Sequence, residues 1–268
     1  MDLNLARIEI RLPTEAACSF ESAMLGNPAS IEAMLGELCS RELSTDPELL
    51  RRHQKPGLPF VFNLPEHGNN GISRIPLLLM GQSITCVRLF ADAVEAHSAG
   101  GGVISLHAID YQGGMTEIVR DGGDTMPVLS AAETVALETP SFIGCRTLLL
   151  RLLTPLRISS AGREISRFDP SAFIRAMLRR ISSLAAYYGS PAEPDFIRHL
   201  AAESAEVVCR LRASVEPATG RRGVTGLYEL KGNLQEIAPY LMLGSMLHLG
   251  KGASYGMGSF EVTSPDIS

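Results

Sequence analysis

Apolar and polar residues alternate through residues 5–12 (LARIEIRL), which predicts a half-buried strand. Over 29–42 the apolar positions Ile31, Met34, Leu35 and Leu38 recur at helical spacing, with Ser30 placed to cap the helix. A short apolar run at 58–64 predicts a strand, and the Gly- and Asn-rich stretch Glu66 to Gly71 a turn. Residues 75–80 (IPLLLM) predict another strand, with Pro76 favouring its beginning or a sheet edge. Val87, Phe90, Ala91 and Val94 form one face of a helix over 83–98, which Gly100 to Gly102 end before a strand at 103–110. Strand, helix, strand, strand, helix, strand is the split βαβ order of a ferredoxin-like domain.

Residues 111–140, with glycine pairs at 113–114 and 122–123, read as a linker. Beyond it the theme repeats. A strand is expected at 146–154 and a long helix at 170–188, with Asp169 as cap and Pro170 in its first turn. A second helical stretch over 194–210 reads as an insertion. A strand at 224–231, a helix at 235–248, a glycine-rich loop at 250–258 and a last strand near 259–263 complete the pattern. Both halves end in helix, glycine-rich loop, strand. The expected fold is therefore α+β, two tandem ferredoxin-like (RRM-like) domains at 1–125 and 140–268, the second carrying a C-terminal glycine-rich loop.

Charge changes this picture. The net charge of −5 speaks against nucleic acid, since phosphate binding draws on Lys and Arg, yet it is unevenly distributed. Residues 1–140 hold 9 Lys and Arg against 18 Asp and Glu, a balance of −9, whereas 141–268 hold 15 against 11, a balance of +4. Any phosphate-rich partner is thus expected on the second half. With no Trp and 6% aromatic residues, a base-stacking groove of exposed aromatics is not expected. The five cysteines are odd in number and form no CxxC pair, which implies buried thiols in a reducing compartment rather than disulfides or zinc. No signal-peptide pattern or membrane-length apolar run is seen, so a soluble cytoplasmic protein is expected.

Candidate chemistry concentrates in three places. In the loop at 250–258, Gly250, Gly252 and Gly256 let main chain approach a ligand and offer N–H groups to phosphate oxygens. Lys251 adds a point charge, and Ser254 and Tyr255 add hydroxyl donors. The GxxxxGK[ST] spacing of a nucleotide-binding loop is absent. Arg175 and Arg179 lie four apart and share a helix face, with Arg180 beside them. Arg221 and Arg222 stand between Gly220 and Gly223 before a strand, where a basic hairpin or a plain exposed turn are both open. Among the histidines, His53 lies with Arg51, Arg52 and Lys55, one titratable group among three cations. His67 follows in its turn. At the helix end expected at 248, the dipole favours a charged imidazolium on His248. His97 ends the corresponding helix of the first half, and His107 and His199 show no partner in the sequence. No set of His, Cys, Asp or Glu has metal-ligand spacing, and no cofactor is expected.

The C-terminal segment 240–262, YLMLGSMLHLGKGASYGMGSFEV, resembles the ending of the CRISPR pre-crRNA-processing endoribonucleases of the RAMP superfamily. That ending is a helix closing on Leu-His, then Gly-Lys, then Gly-x-Gly into the last strand. LTPLRI at 153–158, LRRISSLAAYYG at 178–189 and the segment 74–102 are similar to further parts of that family. The resemblance implies binding of CRISPR repeat RNA and cleavage to 2′,3′-cyclic phosphate and 5′-OH ends. It also implies a catalytic histidine toward the N-terminus, which points to His53 first, with Lys55 as its cationic neighbour and His67 as the second candidate. The loop residues, Arg175, Arg179, Arg221 and Arg222 become the expected RNA contacts. Residues 1–73 match the family poorly and are acidic, which keeps open a non-catalytic crRNA-binding subunit of an effector complex, or a protein-docking subunit.

Overall fold

The computed structural model describes residues 2–39, 57–118, 126–160, 162–190, 194–203, 206–214 and 222–264. The chain divides into two compact units, Leu3–Ser130 and Ala131–Ser268 together with Met1–Asp2.

The first unit begins with β1 (Asn4–Pro13), where the expected alternation holds and Ile8, Ile10 and Leu12 are fully buried. Helices α1 (Thr14–Gly26) and α2 (Pro28–Leu35) follow. The sequence pattern missed α1, whose buried Ala16, Ala17, Phe20 and Met24 include two small residues that read weakly as an apolar stripe. Ser30 is not the cap of α2. It lies inside the first turn and donates its hydroxyl to the Asn27 carbonyl at 2.8 Å. β2 (Phe60–Phe62), β3 (Glu66–His67) and β4 (Ile72–Met80) form the next part of the sheet, then α3 (Val87–Ala96) and β5 (Ser105–Ile109). The sheet order β2-β4-β1-β5 is that of a ferredoxin-like fold, extended by β6 (Met115–Glu117). Phe20, Phe60, Phe62 and Phe90 pack edge to face beneath it, with centroids 5.1 to 5.6 Å apart for the edge-on pairs.

Pro76 is neither at the beginning of its strand nor at a sheet edge, since β4 has β1 on one side and β2 and β3 on the other. The Asn63 N–H donates to the Pro76 carbonyl at 2.8 Å. A strand residue turns its nitrogen and carbonyl to the same neighbour, so the proline nitrogen faces the break between the two short strands. No ladder bond is lost there.

The expected linker at 111–140 is largely ordered structure. It contains β6, a short β7 (Leu129–Ser130) paired with β1, and α4 (Ala131–Glu138), while 119–125 lie outside the described residues.

In the second unit β8 (Thr147–Leu156) leads through a small hairpin, β9 (Ser159–Ser160) and β10 (Arg163–Glu164), into α5 (Pro170–Tyr188). The Asp169 carboxylate caps α5, accepting from the Ala172 N–H at 3.0 Å. The expected helix over 194–210 is only partly one. Helix α6 spans Pro194–Glu203, and 208–213 forms β11 (Val208–Ala213), an edge strand. Its alternating Arg210 and Arg212 give the strand period that a helical reading overlooks. β12 (Val224–Lys231), α7 (Ala238–Leu247) and β13 (Phe260–Thr263) close the unit, in sheet order β11-β12-β8-β13. This is again the ferredoxin-like order, so the molecule is an α+β tandem of such folds. Gly244 fits α7 tightly against α5, because a Cβ there would sit 2.6 Å from the Met177 sulfur.

Candidate functional site

The segment between α7 and β13 is built by close packing of main chain. Gly250, Gly252, Gly256 and Gly258 all have positive φ. A side chain at Gly258 would overlap the Leu249 carbonyl, and one at Gly250 the Arg157 carbonyl. The loop is tied to the end of β8. The Lys251 N–H donates to the Arg157 carbonyl at 2.9 Å, the Gly258 N–H to the Pro155 carbonyl at 3.2 Å, and the Thr154 hydroxyl to the Gly256 carbonyl at 2.8 Å. Ala253, Ser254, Tyr255 and Met257 are buried, whereas Lys251 is exposed. The N–H groups of Lys251, Ala253, Tyr255 and Met257 donate within the protein. Those of Gly250, Gly252, Ser254 and Gly256 donate to no group among the described residues. The loop therefore alternates committed and uncommitted main-chain donors, with one exposed ammonium beside them.

Two buried groups lie behind the loop. His248 ends α7 and, at φ 53°, is the one non-glycine residue with positive φ among the described residues. It is 2% exposed, and its Nδ1 has no hydrogen-bond partner. Burial, then the nearby Arg180 charge, pushes its pKa down to about 3, against a smaller upward pull from a hydrogen bond to the Ala253 main chain. The charged imidazolium expected from the helix dipole is thus overturned, because desolvation outweighs a partial charge. Arg180 donates through Nε to the Leu247 carbonyl at 2.9 Å, and its Nη2 is buried and unpaired. Burial lowers its pKa to about 10, so it remains a cation. Grouping Arg180 with its helical neighbours hid this difference. Arg175 and Arg179 are exposed, and Arg175 reaches the Ser171 hydroxyl at 2.6 Å. Neither hydrogen-bonds to the loop among the described residues.

Arg222 is exposed at the approach to β12, while Arg221 lies outside the described residues. Further cations that the sequence pattern did not single out are Arg151, Arg210, Arg212 and Lys231. Register places Arg151, Arg210 and Lys231 on one face of the second sheet, and Arg212, at a bulge in β11, joins them through Glu229, which also pairs with Lys231, while Arg151 pairs with Glu261 at 3.4 Å.

The histidines separate clearly. His53 and Lys55 lie outside the described residues. His67 belongs to the first unit and stands not in a turn but in β3, exposed, its Nδ1 2.9 Å from the Ser73 hydroxyl, which in turn donates to Thr14. His97 bridges the Ala93 carbonyl at 2.8 Å and the Ser30 hydroxyl at 3.0 Å, a structural pairing. His107 and His199 do have partners, Ser105 at 2.9 Å and Glu236 at 3.3 Å. Among the described residues no group of three or more His, Cys, Asp or Glu is placed to hold a metal ion, and no helix is long and apolar enough to cross a membrane.

Residues 150–260, from within β8 to the start of β13, match the family model of the CRISPR-associated endoribonuclease Cas6. This stretch of the chain is similar to the Cas6 endoribonucleases. The Cas6 match takes in α5, the whole glycine-rich loop, the half-buried Arg180 and the buried His248, and leaves His53 and His67 outside it. Solved Cas6 structures share the fold over nearly the full length. A Cas6 substrate-mimic complex aligns with TM-score 0.54 and 17% identity over 97% of this chain and 99% of its own. A Cas6 product complex aligns with TM-score 0.54 and 18% identity over 97% and 100%. A histidine-to-alanine mutant of Cas6 aligns with TM-score 0.53 and 16% identity over 98% and 100%. No curated protein matches the chain.

Proposed function

We propose that this chain binds the repeat RNA of a CRISPR transcript and cleaves precursor crRNA by metal-independent attack of a ribose 2′-OH. The carrying observation is the glycine-rich loop, inside the Cas6 match, where uncommitted N–H groups of Gly250, Gly252, Ser254 and Gly256 alternate beside the exposed Lys251. Main-chain donors and an ammonium are the chemistry that receives phosphate oxygens without reading a base. The similar structures include Cas6 with a substrate mimic and with product, which supports the same ligand class here. Arg175, Arg179, Arg221 and Arg222 are assigned as further backbone contacts.

In the cleavage step a base removes the 2′-OH proton, O2′ attacks the adjacent phosphorus, and the bond to O5′ breaks as an acid protonates it. The products are a 2′,3′-cyclic phosphate and a 5′-OH. We assign His53 as the general acid or base and Lys55 as the cation that stabilises the phosphorane, with His67 as the second histidine candidate.

One observation favours a second reading. Residues 1–73 carry an acidic surplus despite the basic group around His53, which suits a non-catalytic crRNA-holding subunit of an effector complex. Incubation of the protein with end-labelled repeat RNA in EDTA tests both. The proposal expects a single cut with a cyclic phosphate end. Retarded but intact RNA supports the non-catalytic reading, and neither binding nor cleavage overturns both.

A further inference from the structure

Beside the loop, the Arg157 guanidinium is held in a two-point fork by the Glu164 carboxylate, Nε to Oε1 and Nη2 to Oε2 each at 2.8 Å. The register of the β9–β10 hairpin, Glu164 opposite Ser159 and Arg163 opposite Ser160, brings the carboxylate back alongside Arg157. The main chain of Arg157 is the same one that receives the Lys251 N–H and that leaves no room for a side chain at Gly250. Arg157 and Lys251 are therefore neighbouring cations anchored to each other through their backbones. Glu164 feels both of them, and its pKa is lowered chiefly by the Arg157 hydrogen bond and to a smaller degree by Lys251.

The side chains of Arg157 and Glu164 are 33% and 44% exposed, so this pair adds little to stability. Its position carries more meaning than its energy. A planar guanidinium fork accepts a carboxylate or a phosphate in the same two-point manner. We propose that Arg157 is a phosphate-binding residue of the RNA site, and that Glu164 occupies its fork in the RNA-free protein as a competing carboxylate. RNA engages this corner of the loop by displacing Glu164, so every phosphodiester meets a built-in competitor. The inference rests on the RNA reading of the loop and names a residue and an affinity-limiting contact within it.

The test measures binding of a 2′-O-methyl repeat oligonucleotide, which cannot be cleaved, by fluorescence anisotropy at fixed salt. Because the pair is exposed, its variants are expected to fold, and circular dichroism checks this. Glu164→Gln is expected to tighten binding about threefold to fivefold, the scale of an exposed ion pair, and Arg157→Met to weaken it by a similar factor. In the Arg157→Met background, Glu164→Gln is expected to change affinity by less than about twofold. An unchanged or weakened Glu164→Gln protein overturns the inference while leaving the RNA reading intact. So does a gain that persists without Arg157, which reports only the loss of a negative charge. Absence of binding by every form, the unmodified protein included, overturns the RNA reading and this inference with it.

Discussion

The Nε of Arg180, in the middle of one helix, donates to the carbonyl of Leu247, the last residue of another, at 2.9 Å. A cation at a helix C-terminus meets the negative end of the dipole and satisfies a carbonyl that has no partner within the helix. The bond fixes where α7 stops and hence where the glycine-rich loop begins. Arg180→Ala leaves that carbonyl without its donor and opens a void, and is expected to lower stability by about 2 kcal/mol in urea unfolding. The exposed Arg179→Ala serves as the comparison and is expected to lie within about 0.5 kcal/mol of the unmodified protein.

His248 makes stability depend on pH. Its pKa is lowered in the folded protein to about 3 from 6.5, so the unfolded chain binds a proton that the folded one refuses across that interval. Stability from this group is complete above about pH 6.5 and declines as pH falls toward 3, by up to about 1.4 kcal/mol per pH unit. At φ 53° and ψ 172° the backbone lies outside the left-handed helical well, so His248→Asn carries the same backbone strain as the histidine, and it cannot titrate. Denaturant unfolding between pH 4 and 7 is expected to show a shallower pH dependence for this variant.

Lys251 is the loop's exposed charge. Lys251→Ala is expected to weaken binding of repeat RNA at all sequences alike and to reduce the slope of log affinity against log salt by about 0.7, the value for one lost contact to single-stranded phosphate. A salt titration of the two proteins reads this directly, and an unchanged slope removes Lys251 from the interface.

For cleavage, His53→Ala is expected to slow the reaction in EDTA at least about a hundredfold, the range of a lost general acid or base, while RNA affinity is preserved. Single-turnover assays on His53→Ala and His67→Ala separate the two candidates. A His53→Ala protein that cuts at the normal rate sinks that assignment.

The repeated strand–helix order was legible because both sheets bury alternating apolar residues and α5 carries an unbroken apolar face with its cap and proline in place. The glycine-rich loop was legible as a place but not as a construction. Glycine and lysine spacing announces close main-chain approach, yet which N–H groups remain uncommitted depends on partners at Pro155 and Arg157, far earlier in the chain. Arg180 was illegible for the same reason. In sequence it resembles Arg179, and only packing against α7 separates a half-buried donor from an exposed one. β11 was mistaken for helix because an edge strand exposed on both faces lacks the buried stripe that sequence patterns detect.

One small contact governs how the protein can be dissected. Asp2 and Ser190 exchange main-chain hydrogen bonds at 3.3 and 2.8 Å, so the opening residues are grouped with the second unit before the chain enters the first. The peptide consequently crosses between the units twice, at 2–3 and at 130–131. A fragment starting at Ala131 would leave the turn after α5 without its backbone clasp, and restoring Asp2 as a short tethered peptide is the remedy that this threading dictates.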